Sequence, residues 1–339
     1  MAIDPVQLTR QLMDIDSTSG REAEAGHFLL TVLRDAGFHA ERIDVPVSDG
    51  PERFNVYACM PGAGPDIVLS THMDTVPPFI PGSEDDDFLY GRGSCDAKGI
   101  IASQIAAAEI LRASGEKVGL LFTVGEELDS AGAKEANKFP KGNRFLINGE
   151  PTDNRVAIAS KGTLRLIVRS TGKMAHSAYP ELGDSAVHKL VAALDDILKL
   201  PLPVAADVGA CTLNIGTIYG GHAPNVIADS AEARVLVRLT GPGAEILQAI
   251  KNTVGDRAEV LAERENPFIR FTPFAGMPTM VAAFATDVPS LPAWGEPLLF
   301  GPGSIHVAHT PRERLAKKEM HEAIHQYVAI AKGLLHGAA

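Results

Sequence analysis

At three places in this chain a His or a carboxylate directly follows a short run that reads as a β-strand, and that placement constrains the fold more than any other feature. The stretches are Ser70-Thr71-His72-Met73-Asp74, Gly91-Arg92-Gly93-Ser94-Cys95-Asp96 and Gly125-Glu126-Glu127. Short apolar runs bounded by turn residues predict buried strands. If the runs share one sheet, its edge receives a set of side chains suited to binding metal or moving protons. The pattern suggests a metal-dependent hydrolase.

Helices and strands alternate through the first part. Residues 4–16 and 21–36 are predicted helices, the second closed by Gly37 just beyond its end. Residues 67–70 read as a short buried strand, 98–112 as a helix rich in Ala and Ile, and 118–124 and 144–147 as further strands. This alternation implies an α/β fold with a doubly wound, mostly parallel sheet. Ligands of such sheets sit beyond the carboxyl ends of the strands, where His72, Glu126, Glu127 and Glu150 fall.

The pattern then changes. Strands are predicted at 163–170, 211–219, 231–239 and 258–262, with helices at 184–198 and 244–254. The order β-α-β-β-α-β is that of a ferredoxin-like unit. The expected division is therefore 1–157 for the first part of a catalytic, metal-binding domain, 158–263 for an inserted α+β domain, and 264–339 for the return to the first domain. In the return, residues 298–300 predict a strand. Thr310-Pro311-Arg312-Glu313 reads as the opening of the final helix, with Thr310 as cap, Pro311 at the first position and Glu313 completing a capping box. That reading holds His309 immediately before a helix.

A formal net charge of -11 over 339 residues argues against a nucleic-acid or anionic-membrane partner, both of which need a basic surface. The N-terminal Met1-Ala2-Ile3-Asp4-Pro5 shows neither the basic nor the apolar region of a signal peptide, and no apolar run is long enough to span a bilayer. Cys59, Cys95 and Cys211 form no disulfide framework and no zinc-finger spacing. The expectation is a cytoplasmic protein.

His72, Asp96, Glu127, Glu150 and His309 are the right set for two divalent ions. They offer nitrogen and oxygen only, which suits zinc and also allows cobalt or manganese. Three carboxylates converging without cations would repel one another; two divalent cations bring them, with one hydroxide, close to neutrality. The simplest arrangement has Asp96 bridging the ions and two further ligands on each. Glu126 and Glu127 leave a strand in different directions, so one binds metal and Glu126 serves as general base and then acid. Asp74 can accept the second ring N–H of His72 and fix its tautomer; a plain turn residue before Val76-Pro77-Pro78 is the competing reading. Gly91-Arg92-Gly93 lacks the later Gly of a dinucleotide fingerprint, and Lys98-Gly99 is no Walker motif. Cys95, with no visible base partner, reads as a small packing residue.

The chain resembles the di-zinc aminoacylase and carboxypeptidase G metallopeptidase family, which includes acetylornithine deacetylase, succinyl-diaminopimelate desuccinylase and dipeptidases. The resemblance runs from Asp16-Ser17-Thr18-Ser19-Gly20-Arg21-Glu22 to Ala308-His309-Thr310-Pro311 and rests on the His-x-Asp, Gly-Arg-Gly-x-x-Asp-x-Lys-Gly and Gly-Glu-Glu blocks in that order. It implies that Asp96 bridges the ions, that the Asp96–Ala97 peptide is cis, that Glu150-Pro151-Thr152 supplies one ligand, and that His309 rather than His306 supplies the last. It implies that the inserted domain is a lid and a dimerisation surface, giving a homodimer. By the same resemblance His176, in Lys173-Met174-Ala175-His176-Ser177, stabilises the oxyanion, and Asn225 contacts substrate. Arg238 lies near the substrate carboxylate, although Leu236 stands where relatives often carry an acidic residue, and an ordinary strand arginine is the competing reading. The implied activity is hydrolysis of an N-acyl amino acid, as in acetylornithine or acetyl-lysine deacetylases. A carboxypeptidase or dipeptidase acting on small peptides is the alternative. A metal-binding homologue without catalysis is a third reading, which the retention of Glu126 opposes.

Overall fold

The computed structural model describes residues 3–62 and 64–337; Met1 and Ala2, at the head of the N-terminal stretch considered above, lie outside the described residues. By internal contacts the chain divides into two compact units. One comprises the chain up to Ile158, Phe271–Met280 and the chain from Thr286 onward; the other comprises Ala159–Arg270 and Val281–Ala285.

The first unit is built on a six-stranded sheet in the order His39–Val45, Arg53–Cys59, Val118–Thr123, Ile67–His72, Phe145–Asn148, Glu296–Leu299. The last four strands run parallel. The first two form an antiparallel hairpin that joins Val118–Thr123 antiparallel. Ile67–His72 and Val118–Thr123 are buried at every residue. Both faces of these central strands are covered, hence their unbroken apolar character.

Alternate residues of the sheet feed two cores. Ile67, Leu69, Leu120 and Phe122 join Leu29, Leu33, Ile101, Ile105 and Tyr327 from the helices Ala23–Asp35, Lys98–Ala113 and Lys317–His336. Val68, Leu121 and Leu146 turn the other way, onto Ala133, Ala136, Leu291 and Trp294. The expected doubly wound sheet therefore has unequal faces. Long helices gather on one, while the short helix Ala131–Ala136 and the turn holding Trp294 close the other.

One element carries no clear sequence signal, and one local expectation fails. The edge hairpin was not foreseen, because Glu41, Arg42 and Asp44 interrupt the apolar pattern of a strand that exposes one face. The final helix begins at Lys317 rather than Thr310. Residues 310–312 form a turn, and Arg314–Ala316 pairs antiparallel with Phe88–Tyr90. Glu313 caps no helix; its carboxylate is buried against Arg92. A tertiary ion pair overrides the local capping signal.

The second unit has the expected β-α-β-β-α-β order. Its sheet runs Thr212–Gly220, Ser230–Leu239, Gly162–Thr171, Glu259–Asn266, antiparallel throughout. Leu164, Leu166 and Val168 pack with Leu190, Leu194, Ile246 and Ile250 from the helices Ala186–Lys199 and Gly243–Val254. The boundary expected at 263 falls inside the last strand, which stays paired as far as Asn266. Among the described residues no helix is long and apolar enough to cross a membrane.

Trp294 is the keystone of the thin face: it is fully buried, donates its indole N–H to the Ala136 carbonyl at 3.1 Å, and meets the Tyr57 ring edge-on at 5.9 Å. Trp294→Ala should destabilise the first unit by about 3–5 kcal/mol, lowering its calorimetric transition by roughly 10 °C. Trp294→Phe, which keeps the ring but not the N–H, should lose less than half as much.

Candidate metal centre

His72 closes the strand Ile67–His72 and is buried. Its Nδ1 lies 2.8 Å from the Asp74 carbonyl oxygen, and its Nε2 lies 3.0 Å from Asp96 Oδ1. The ring is thus held through the Asp74 backbone. This corrects the expectation that the Asp74 carboxylate does so: its nearer oxygen is 3.6 Å from Nδ1. That carboxylate instead accepts the N–H groups of Glu126 (3.1 Å) and Glu127 (3.3 Å) and the Ser19 hydroxyl (2.7 Å). Three donors converging on one buried carboxylate hold it ionised. Burial alone would raise its pKa; His72, Ser19 and the Glu126 N–H lower it.

Asp96 is the centre of the site. Its Oδ1 faces His72, and its Oδ2 lies 3.2 Å from Nε2 of His309. The Asp96–Ala97 peptide is cis, as the resemblance implies. The loop before it is held by Glu313: Oε1 accepts the N–H groups of Gly93 (2.8 Å) and Asp96 (3.3 Å), and Oε2 meets Arg92 at 2.5 Å. Both charged partners are buried. Glu313 is the residue that the capping reading misassigned.

His309 stands in a turn with φ +62° and places Nε2 2.8 Å from Glu127 Oε1. Glu150 follows the strand Phe145–Asn148; it is buried, and its Oε1 has no hydrogen-bond partner. His306 is exposed and belongs to none of the converging groups.

Within 4.8 Å, ligand atoms converge in the sets His72/Asp96/Glu150, Asp96/Glu127/His309 and His72/Glu126/Glu127. The first two share Asp96, one oxygen toward each, which is the geometry of a bridge between two ion positions. Glu126 is in neither.

The charges point the same way. Burial, then the charge of Glu150, pushes the Glu126 carboxyl well above the ordinary range. Burial raises Glu150, with Asp96 and Glu127 adding to it and His72 opposing. Burial opposes a charged His72, but Asp74, Asp96 and Glu126 outweigh it and push the imidazole pKa well above its ordinary value. Hydrogen bonds to Asp96 and Glu127 raise His309 to about 10 against its partial burial. Buried like charges and a carboxylate oxygen without a partner mark a site built for cations, and the nitrogen and oxygen donor set fits two divalent ions.

His176, Asn225 and Arg238 belong to the second unit. Ala175–His176 pairs with Val226–Ile227, and the Ser177 N–H donates to the Asn225 carbonyl at 3.0 Å, so His176 and Asn225 stand on adjoining loops. The His176 ring is exposed, with Nδ1 accepting the Ala178 N–H at 3.1 Å. Arg238 lies half-buried on the sheet face away from the helices, diagonal to Arg165. Burial and Arg165 lower its pKa.

In metal-free protein His309 forms its ion pairs as a cation. Its pKa in the fold exceeds the unfolded value of about 6.5, so its contribution to stability is complete below pH 6.5 and fades as pH rises toward 10. The thermal midpoint of chelator-treated protein should therefore fall across that window, and His309→Asn should flatten the fall.

Residues 68–333 match the model of peptidase family M20/M25/M40. A probable carboxypeptidase of Aspergillus terreus is 38% identical, over 94% of this chain and 83% of its own. A tripeptidase from Staphylococcus aureus superposes with a TM-score of 0.82 at 21% identity, covering 98% of this chain and 99% of its own. The Bacillus subtilis YXEP protein, a dinuclear metal-binding peptidase of the M20 family, gives a TM-score of 0.73 at 16% identity over 98% of each chain. With its strand-end residues converging around one shared aspartate, the chain belongs to peptidase family M20/M25/M40 and is a metal-dependent hydrolase.

Proposed function

We propose that this chain is a di-metal exopeptidase that releases an amino acid from a small peptide through the amide next to a free carboxylate. The observation that carries the reading is the Asp96 carboxylate between His72 and His309, with Glu126 outside the two sets that share Asp96 and beside them in the third, with His72 and Glu127. His72, Asp96 and Glu150 would hold one cation, and Asp96, Glu127 and His309 the other, zinc being the best match to these donors. When bound, the cations polarise the scissile carbonyl and bring the pKa of water from 15.7 toward about 7.

Glu126 supplies the proton transfers. Burial, with the charge of Glu150 added, holds its proton affinity high, which suits a base that takes a proton from the attacking water and delivers it to the leaving nitrogen. The Asp74 carboxylate fixes the backbone N–H groups of Glu126 and Glu127, so that consecutive side chains divide between proton transfer and ligation. His176, exposed in the second unit, is assigned to the tetrahedral oxyanion in a homodimer, and Asn225, on the adjoining loop, to substrate contact.

Arg238 supports recognition of the carboxylate. Among the described residues no acidic side chain pairs with it, and Arg165 reinforces the positive potential beside it. A guanidinium of this kind suits a planar carboxylate.

The carboxypeptidase reading draws on the names of relatives such as that of Aspergillus terreus. Deacylation of an N-acyl amino acid is the second reading, favoured by the compact length and the Gly-Pro-Gly…Ala-His-Thr-Pro ending. Both cleave the same bond type, and a panel of dipeptides, tripeptides, and acetyl and succinyl amino acids separates them. The expected outcome is highest kcat/KM on peptides, with Arg238→Gln raising KM at least about tenfold for substrates bearing a free carboxylate and little for their amides. An acetyl amino acid turned over far faster than any peptide would select deacylation.

Glu126→Gln should retain both metals by elemental analysis and lose about 10²–10⁴ in kcat. Turnover near that of the parent would sink the base assignment.

A further inference from the structure

Asp287 is 1% exposed, lies in the first unit and belongs to none of the ligand sets. Its Oδ2 accepts the Thr123 hydroxyl at 2.8 Å, and its Oδ1 is buried with no hydrogen-bond partner; the Ser130 hydroxyl faces the same carboxyl and lowers its pKa. Thr123 ends the strand that leads into Gly125-Glu126-Glu127. Ser130 closes the turn that follows, donating its N–H to the Gly125 carbonyl at 2.7 Å. Asp287 therefore anchors the entry of the loop that presents Glu126 and faces Ser130 at its exit. Asp74 holds the same loop from within, through the N–H groups of Glu126 and Glu127.

A carboxyl here is costly. Burial raises its pKa to about 6 against the pull of the two hydroxyls, and Asp74 adds a like charge. An apolar residue would fill the volume without that penalty. Ser130 also sits at φ +57°, a left-handed conformation unfavourable for a residue with a Cβ. A buried acceptor bonded to the Thr123 hydroxyl and facing Ser130 compensates by fixing the turn in one shape.

We propose that Asp287 is a positioning residue that anchors Thr123, at the entry of the loop, against the turn at Ser130, so that Glu126 keeps its proton-transfer geometry while Glu127 keeps its ligand geometry. The proposal rests on Glu126 as the base, so Glu126→Gln is run alongside as a control on that reading alone.

The test compares Asp287→Ala, Asp287→Asn and Thr123→Val, and the double variant Thr123→Val/Asp287→Ala, all loaded with zinc. Asp287→Ala should lower kcat by about 10–100-fold on the best panel substrate, with KM within about twofold and metal content unchanged. Asp287→Asn retains an acceptor oxygen and should recover most of the loss. The double variant should be no worse than Asp287→Ala, as expected for partners in one contact. A readout free of turnover is amide exchange in metal-free protein. The Glu126 and Glu127 N–H groups should exchange about tenfold faster in Asp287→Ala and at the parental rate in Asp287→Asn. Parental kcat together with parental exchange in Asp287→Ala would overturn the proposal, as would a loss of kcat that merely follows loss of metal. Should Asp287→Ala not fold, Thr123→Val carries the same two readouts. An active Glu126→Gln overturns the base reading instead, and the exchange rates still decide whether Asp287 tethers the loop.

Discussion

One carboxylate shared by two imidazoles organises the first unit. Asp96 turns one oxygen to His72 and the other to His309. His72 comes from a central strand end and His309 from a turn late in the chain, so the sheet, the Gly91–Asp96 loop and the C-terminal return must be in register together. The Arg92–Glu313 pair provides that register. Glu313 accepts the N–H groups of Gly93 and Asp96 while its other oxygen meets Arg92. Burying two charges is worthwhile only when almost every hydrogen-bonding position around them is used. Here the backbone of the Asp96 loop uses the Glu313 positions while Arg92 Nε stays without a partner, and a misplaced C-terminal segment would break the pair altogether.

The ligand set was legible in the sequence because parallel-sheet strands are short apolar runs, and the residue after each run lies at the sheet edge. His72, Glu127 and Glu150 are read that way, while Asp96 follows a strand of a separate small sheet and His309 is reached through the family resemblance; the structure brings all five together. Their supports were less visible. Glu313 looked like a helix cap because a capping box is a four-residue pattern, whereas its actual partner, Arg92, is distant in sequence. Asp287 follows no predicted strand, and only tertiary contact with Thr123 and Ser130 gives it significance. Asp74 was noticed, but a His-x-Asp spacing does not distinguish a contact through the carboxylate from one through the backbone carbonyl. Ligands announce themselves by residue type and position; the groups that hold them do so by contacts the sequence does not order.

The βαββαβ unit was legible for a related reason. Its strands alternate cleanly, with Leu164, Leu166 and Val168 inward and Thr163, Arg165 and Ile167 on the other face. The edge hairpin of the first unit was not, since its charged residues mask the period of two. The two units also differ in chemistry. The first concentrates buried carboxylates and imidazoles, while the second presents Arg165 and Arg238 and the exposed His176. One is suited to ions and protons; under the proposed function the other meets the anionic parts of a substrate.

The adjacency of Glu126 and Glu127 shows how a strand end divides two identical side chains. Both carboxyls are raised by burial, but His309 lies against Glu127 and opposes that shift, whereas Glu126 has Glu150 as its principal neighbouring charge. A carboxylate beside a shared histidine is favoured as an anion, which suits the ligand role proposed for Glu127. One beside another carboxylate holds a proton more tightly, which suits the proton transfer proposed for Glu126. The division is maintained by the backbone, because Asp74 accepts both N–H groups and leaves each side chain one direction in which to project. A slip of one residue in this turn would exchange the two environments, putting the proton carrier against His309 and the ligand against Glu150. The buried acceptors around the loop therefore bear on the chemistry as directly as the ligands themselves.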